Sequence, residues 1–303
     1  MLFALLQGVC QAEPALTITL GGDVILGRDG EAIFTEDPWG GLSTSQIAQK
    51  SGDNWFMVNL ESPLAGDQEA KVSAGEGYNL CAPAEAAEIL EIGGVDLVTA
   101  ANNHQDDCAE SAETTQQREI PHVVEGQPFK FESPAGTVIV IAADAVSKPL
   151  DMIALLENIA DLSTKSDMLI VSLHWGKEYS GQPVPLQKEQ ARQLADAGVD
   201  ILWGHHPHVL QPIEWVESGD GNHRMLAIYS LGNLLTDQMM TLETRRSALV
   251  HIQIQGGEIT RLSFQPLVLT QTSGRLALAY PDEEAASQIG KRLGWAELMA
   301  SFP

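Results

Sequence analysis

Short apolar runs recur along the chain, and each one ends in a polar cluster. Residues 16–20 lead into Gly21, Gly22 and Asp23, residues 55–58 into Asn59, Leu60 and Glu61, and residues 96–101 into Asn102, Asn103 and His104. Residues 168–173 lead into His174, Trp175 and Gly176. Residues 199–203 lead into Gly204, His205, His206, Pro207 and His208, and residues 225–231 into Gly232 and Asn233. Runs of about four to seven β-branched and aliphatic residues predict buried strands. A further strand is expected over 137–142. Helices are expected over 83–92, which follows a proline and stops near Gly93 and Gly94, over 150–159, and over 186–197, which ends at Gly198.

Alternation of strand and helix predicts an α/β fold with central, mostly parallel sheet flanked by helices. Ligands bind beyond the carboxyl ends of such strands, and every polar cluster above lies at one of those ends. After residue 245 the character changes. Residues 247–254, Gly256, Gly257 and residues 258–269 predict an antiparallel hairpin, and residues 283–301 predict a terminal helix. No internal repeat or low-complexity linker divides the chain, so residues 15–303 are expected to form a single domain with a C-terminal helix.

Charge changes the picture by exclusion. Lys and Arg number 17 against 41 Asp and Glu, a formal net charge of −24. Duplex nucleic-acid binding and polybasic membrane anchoring both need clustered cations, so neither is expected. A highly solvated surface accounts for such a balance; cation capture would need local clustering of carboxylates, which a total does not reveal. Residues 1–9 are mostly apolar, and Cys10, Gln11 and Ala12 resemble a small-x-small cleavage site, but a basic leader and a longer apolar run are missing. Residues 1–14 read as a truncated signal peptide. The expected location is then extracytoplasmic, periplasmic or secreted, with proximity to a membrane but no transmembrane helix; otherwise it is cytoplasmic. Cys81 and Cys108 can pair if the protein is exported, but two buried free thiols are the preferred expectation.

The strand ends supply the carboxylates of Asp23 and Glu61, the amide of Asn103 and several imidazoles. This donor set suits a divalent cation, one or two ions of manganese, zinc, iron or magnesium, better than a thiolate zinc site. Such a centre activates water and polarises a phosphoryl or carbonyl oxygen. Gly21 and Gly22 do not make a phosphate loop, because no Gly-Lys-Ser/Thr follows.

The segments GGDVILGR (21–28), NLESPL (59–64), ANNHQDD (101–107), SLHWGKEY (172–179), GHHPHVLQPIE (204–214) and YSLGNLLTDQ (229–238) carry a more specific signal. On them the chain resembles the CapA/PgsA family of poly-γ-glutamate capsule proteins, a branch of the calcineurin-like metallophosphoesterase fold, over roughly residues 17–270. The resemblance implies Asp23, Glu61, Asn103, His174, His206 and His208 as metal ligands. It implies His104 as general acid, with Arg28 and Asp107 in the catalytic group. His205, Glu178 and Asn233 are expected to support the ligands or touch substrate.

The chain also departs from the phosphoesterase pattern. Isoleucine stands at position 25, where phosphoesterases carry the histidine of Asp-x-His. Glu61 replaces a bridging Asp, and Asp107, Cys108 and Ala109 stand where the family usually has Asp-Tyr-Gly. These departures argue against a standard two-metal phosphatase.

Each residue has a plainer reading as well. His104 can be a capping or core histidine, and His174 can pack beside Trp175. His206 and His208 can form a surface turn around Pro207, Asp23 can cap a turn, and Glu61 can be a solvated loop acid. Arg28 can sit in a surface salt bridge. His122, His223 and His251 lie outside the clusters and read as structural.

The resemblance implies a metal-dependent hydrolase in poly-γ-glutamate synthesis, export or processing, acting on a phosphoester or amide bond of an anionic polymer or peptide. A non-catalytic subunit of a capsule synthase or export complex, and a general phosphoesterase, are the alternatives. A basic groove for a polyanion is not visible in the sequence.

Overall fold

The computed structural model describes residues 15–28, 33–42, 53–65, 79–108 and 120–302. The expected signal segment lies outside them. In chain order the strands begin with β1 (Leu16–Val24), β2 (Asn54–Leu60), β3 (Leu64–Ala65), β4 (Ala82–Pro83), β5 (Leu97–Thr99), β6 (His122–Val123), β7 (Phe129–Ser133) and β8 (Gly136–Asp144). They continue with β9 (Met168–His174), β10 (Ile201–His205), β11 (Ile213–Glu217), β12 (Arg224–Ile228), β13 (Asn233–Leu235), β14 (Arg246–Gln255), β15 (Glu258–Thr272) and β16 (Arg275–Ala279). The α-helices are α1 (Ala87–Gly93), α2 (Met152–Leu162), α3 (Pro185–Asp196), α4 (Glu283–Arg292) and α5 (Trp295–Ala300). Among the described residues no helix is long and apolar enough to cross a membrane.

Two sheets face one another. The first runs β16-β15-β14-β1-β2-β5-β6, with β13 also pairing β1; the second runs β11-β12-β10-β9-β8-β7. Each has a parallel centre. β1, β2, β5 and β6 are parallel, as are β8, β9, β10 and β12. Antiparallel strands finish both edges of the second sheet and the β16 side of the first. Period-two alternation explains the layers. Leu16, Ile18 and Leu20 of β1 meet Val138, Val140, Ile170, Ile201 and Trp203 in the core between the sheets. The opposite side chains of the second sheet, among them Ile139, Leu169 and Leu202, pack under α2 and α3. Phe56 and Val58 of the first sheet pack under α1.

The calcineurin-like α/β expectation holds, with the parallel strands divided between two sheets. The hairpin at Gly256 and Gly257 forms as patterned, and its second strand turns again at Ser273 and Gly274 to add β16. Two expectations fail. The terminal helix expected over 283–301 is broken into α4 and α5, because Gly294 adopts a left-handed conformation (φ 63°) that ends the first helix. Cys81 and Cys108 are not free thiols. They form a disulfide with Cα atoms 5.2 Å apart, tying β4 to the loop after β5.

Candidate metal centre

A defect in β1 sets the orientation of Asp23. Leu20 pairs with Met57 but Asp23 pairs with Asn59, so β1 holds one extra residue at Gly21 and Gly22. Such a bulge reverses which face later residues take. Leu16, Ile18 and Leu20 face the space between the sheets, yet Val24 packs on the outer core. Asp23 therefore points inward, toward the second sheet, instead of following Thr17 and Thr19 outward. The bulge also needs glycine, since a Cβ on Gly22 would overlap the carbonyl oxygen of Gly232. Trp203 of the facing sheet donates its indole N–H to the buried Gly21 carbonyl at 2.9 Å, which fixes the bulge from the other side.

Ordinary alternation aims the remaining inward groups. Met57 is followed on its face by Asn59 and then Glu61, Ile170 by Ser172 and His174, and Ile201 by Trp203 and His205. The interior between the sheets thus turns from apolar to polar at the strand ends. The turn after β10 adds His206 and His208, both in positive-φ backbone (92° and 57°). Among the described non-glycine residues, Arg28 and Tyr179 share this conformation nearby, and Ser273 lies in the hairpin turn. Concentrated positive φ of this kind persists where the surroundings over-determine the backbone.

These groups converge on Glu61. Its Oε1 lies 3.6 Å from His174 Nε2, 3.6 Å from His208 Nε2 and 3.9 Å from His104 Nε2. Asp23 Oδ2 lies 3.3 Å from His208 Nδ1 and accepts the His206 backbone N–H, while Asp23 Oδ1 lies 3.3 Å from His205 Nδ1 and accepts an N–H of Asn59 at 2.8 Å. Asp23, Glu61, His174, His205, His206 and His208 are all buried. Three triads place a ligand atom from each member within 4.8 Å of one another: Glu61, His174 and His206; Asp23, Glu61 and His208; and Glu178, His206 and His208.

The donor atoms themselves test whether a cation fits. Both Glu61 oxygens, Asn103 Oδ1, both His174 nitrogens and His206 Nδ1 are buried without any hydrogen-bond partner. A protein core rarely leaves such groups unpaired, since each costs about 1–3 kcal/mol. One divalent ion would satisfy several of them at once. The residues fit the group.

The electrostatics agree. Burial pushes the Glu61 carboxyl upward, with the charges of Asp23 and Glu178 adding to it and His208 opposing. Asp23 is held well below its ordinary value because its contacts with His205 and His208 outweigh its burial. Burial holds His174 well below, and burial with the charge of His208 lowers His206 to about 4. His174 and His206 are therefore neutral at pH 7, the form in which imidazole ligates. His208 moves the other way, raised despite burial by Glu61 and Asp23. A bound cation would favour the deprotonated forms of both Glu61 and His208.

The other expected residues take definite places. His104 Nδ1 lies 2.8 Å from Asp107 Oδ2, which leaves Nε2 on the Glu61 side. Asp107 is itself braced by the Leu80 N–H, and Asn79 bonds its carbonyl, beside the disulfide. Asn233 accepts from His208 Nδ1 at 3.0 Å. His205 packs edge-on against Trp203 and reaches Asp23. Glu178 approaches His206 and His208. Arg28 forms an ion pair with Asp237.

Two buried polar residues at the centre were given no role by the sequence. Asn59 positions Asp23, and Asp144 sits beside His174 at the end of β8, where it accepts the backbone N–H groups of Val146 and Ser147. The run at 137–142 has a polar end like the others, two residues further on, and that was the available signal.

The comparisons point one way. A family model described as "Bacterial capsule synthesis protein PGA_cap" matches residues 17–123 and 109–238. The capsule biosynthesis protein CapA of Bacillus anthracis is 26% identical over 288 residues, covering 85% of this chain and 68% of that protein. The PGA biosynthesis protein CapA of Bacillus subtilis (strain 168) is 27% identical over 284 residues, 84% of this chain and 72% of that one. Among solved structures, a novel phosphatase of Mycoplasma pneumoniae superposes with a TM-score of 0.53 at 15% identity, over 87% of this chain and 97% of its own. At that identity the likeness shows the fold.

Proposed function

Because the chain belongs to the bacterial capsule synthesis protein family PGA_cap, we propose that it is a metal-dependent hydrolase in the synthesis, export or processing of a poly-γ-glutamate capsule. The observation that carries the reading is the set of buried, unpartnered donor atoms around Glu61. Asp23, Glu61, Asn103, His174, His206 and His208 hold the ion, with His205, Asn233 and Glu178 around them. When bound, a divalent ion supplies a Lewis acid and an activated water.

The chain's own residues do the rest. Asp107 anchors Nδ1 of His104 and turns Nε2 toward the centre, the orientation a general acid needs to protonate a leaving group. Asn233 and Asp23 hold Nδ1 of His208, so that Nε2 faces Glu61. Arg28, held by Asp237 at the rim, steadies substrate charge.

The Cys81–Cys108 disulfide supports work outside the reducing cytoplasm, next to a capsule synthase or export complex. Residues 15–303 act as one domain. The test is elemental analysis joined to a hydrolysis screen over phosphoesters and γ-glutamyl peptides. Purified protein should retain a divalent metal, and His206→Ala should lose it together with turnover; equal metal in both proteins would overturn the reading.

A second reading rests on Ile25, a buried apolar side chain where phosphoesterases carry an imidazole. On it the protein is a metal-loaded, non-catalytic subunit of the capsule complex. Metal retention with no turnover in the same screen would favour it.

A further inference from the structure

The cations of this acidic chain are not evenly spread. Gln182, Glu243, Arg246, Gln288, Lys291 and Arg292 line one open cleft of about 400 Å³. They come from the loop before α3, the segment before β14, the start of β14, and α4. Three cations against one carboxylate leave the cleft with a local charge of +2, on a chain whose total is −24.

The cleft already displays how it treats a carboxylate. Glu243 bridges two guanidinium groups, with Oε1 3.2 Å from Arg246 Nη1 and Oε2 3.4 Å from Arg292 Nη2. All three side chains reach solvent, with relative exposures of 16% for Arg246, 39% for Arg292 and 43% for Glu243. Lys291 is exposed beside them. Cations in the last turn of a helix stabilise its C-terminal end, and that accounts for the presence of Lys291 and Arg292 on α4. It does not account for Arg246, which a different sheet strand brings to the same place.

Two separate routes connect the cleft to the metal centre. Along the first, Tyr179 lies 6.1 Å from the His208 ring and its N–H bonds the Pro207 carbonyl. Two residues on, a Cβ on Gly181 would fall 2.6 Å from Arg292 Nη1. Two residues of chain span at most about 7 Å. Along the second, Asn233, which bonds His208, also donates to the carbonyl of Thr244, next to Glu243.

We propose that this cleft is a subsite for an acidic peptide chain, holding carboxylates remote from the bond that meets the metal centre. The proposal rests on the hydrolase reading for its reacting bond, but the cleft's affinity is measured without turnover. A chain fits better than a small anion, because the cleft is open and two stretches of backbone link it to the metal centre, so that one extended ligand can reach both. A local positive site of this kind acts at short range, since the repulsion of the distant acidic surface is screened over about 8–10 Å at ordinary ionic strength.

The experiment is fluorescence anisotropy with a labelled oligo-L-glutamate of about ten residues, using metal-loaded full-length protein. Wild type should bind, more weakly as salt rises. The double variant Lys291→Glu/Arg292→Glu should bind at least tenfold more weakly, about 1.4 kcal/mol, with its metal content unchanged and a modest fall in thermal midpoint from the lost helix-end cations and the lost Glu243 pair. The charge-preserving Lys291→Arg/Arg292→Lys protein should restore binding. His206→Ala, which strips the metal, should keep most of it, so that failure of the metal reading and failure of the cleft are seen separately. No binding by wild type, equal binding by the charge-reversed variant, or loss of binding in His206→Ala as large as in that variant would overturn the proposal. So would tighter binding of inorganic polyphosphate than of the glutamate chain, which would assign the cleft to phosphate.

Discussion

Replacing both Cys81 and Cys108 by serine probes the disulfide without leaving an unpaired thiol. The bond spans 27 residues of sequence and closes a loop that carries β4, α1 and β5. In the chain-entropy description, a loop of that length removes about 12 cal/mol/K from the unfolded state, or about 3.6 kcal/mol at 25 °C. Typical native bridges contribute about 2–4 kcal/mol, so the double variant should lose roughly that much stability. Equilibrium unfolding in urea measures it, and wild type in reductant should coincide with the variant. The effect should also reach the site. Leu80 and Asn79, next to Cys81, brace Asp107, and Asp107 holds His104. Loosening the bridge should therefore lower turnover more than it lowers metal content, because the proposed metal ligands other than Asn103 lie on other strands and turns. A thiol count gives an independent check. Of the three cysteines in the chain, Cys81 and Cys108 should not react in denatured, unreduced protein and should react once it is reduced. Reaction of both without reductant, or a stability difference below about 1 kcal/mol between variant and wild type, would refute the reasoning.

Gly22→Ala would set a methyl group against the carbonyl of Gly232. It should cost about 1–3 kcal/mol by overpacking and reduce bound metal by displacing Asp23; a normal melting midpoint with full metal content would count against the bulge argument. Far from the centre, burial raises the Asp200 carboxyl to about 6, against the opposing Leu169 N–H and His223. The native state then holds a proton that the unfolded chain has already released, so this group lowers stability as pH rises from about 4 to 6 and adds no further slope above that. Asp200→Asn keeps an acceptor for Leu169, and should flatten that slope and gain on the order of 2 kcal/mol at pH 7; an unchanged pH profile of the urea midpoint would exclude the assignment.

Local physics made much of this protein readable in advance. Strand positions followed from short apolar runs, because alternation of side chains across a strand is a property of neighbouring residues. The polar endings of those runs named the residues around Glu61 for the same reason. The break at Gly294 was a local signal too, overridden by the apolar spacing on either side of it.

What the sequence could not settle depends on residues brought together from far apart. The inward turn of Asp23 comes from a bulge measured against the register of β2, and a run of residues carries no register. The pairing of Cys81 with Cys108 needs a Cα separation of 5.2 Å, which sequence distance does not predict. The ion pair with Asp237 that fixes the Arg28 guanidinium joins residues 209 positions apart, and only the fold sets them together. The basic cleft was hidden most completely, because a net charge is a sum without coordinates. Only the packing of α4 against the start of β14 gathers Arg246, Lys291 and Arg292 within reach of one another, and Coulomb energy depends on that distance.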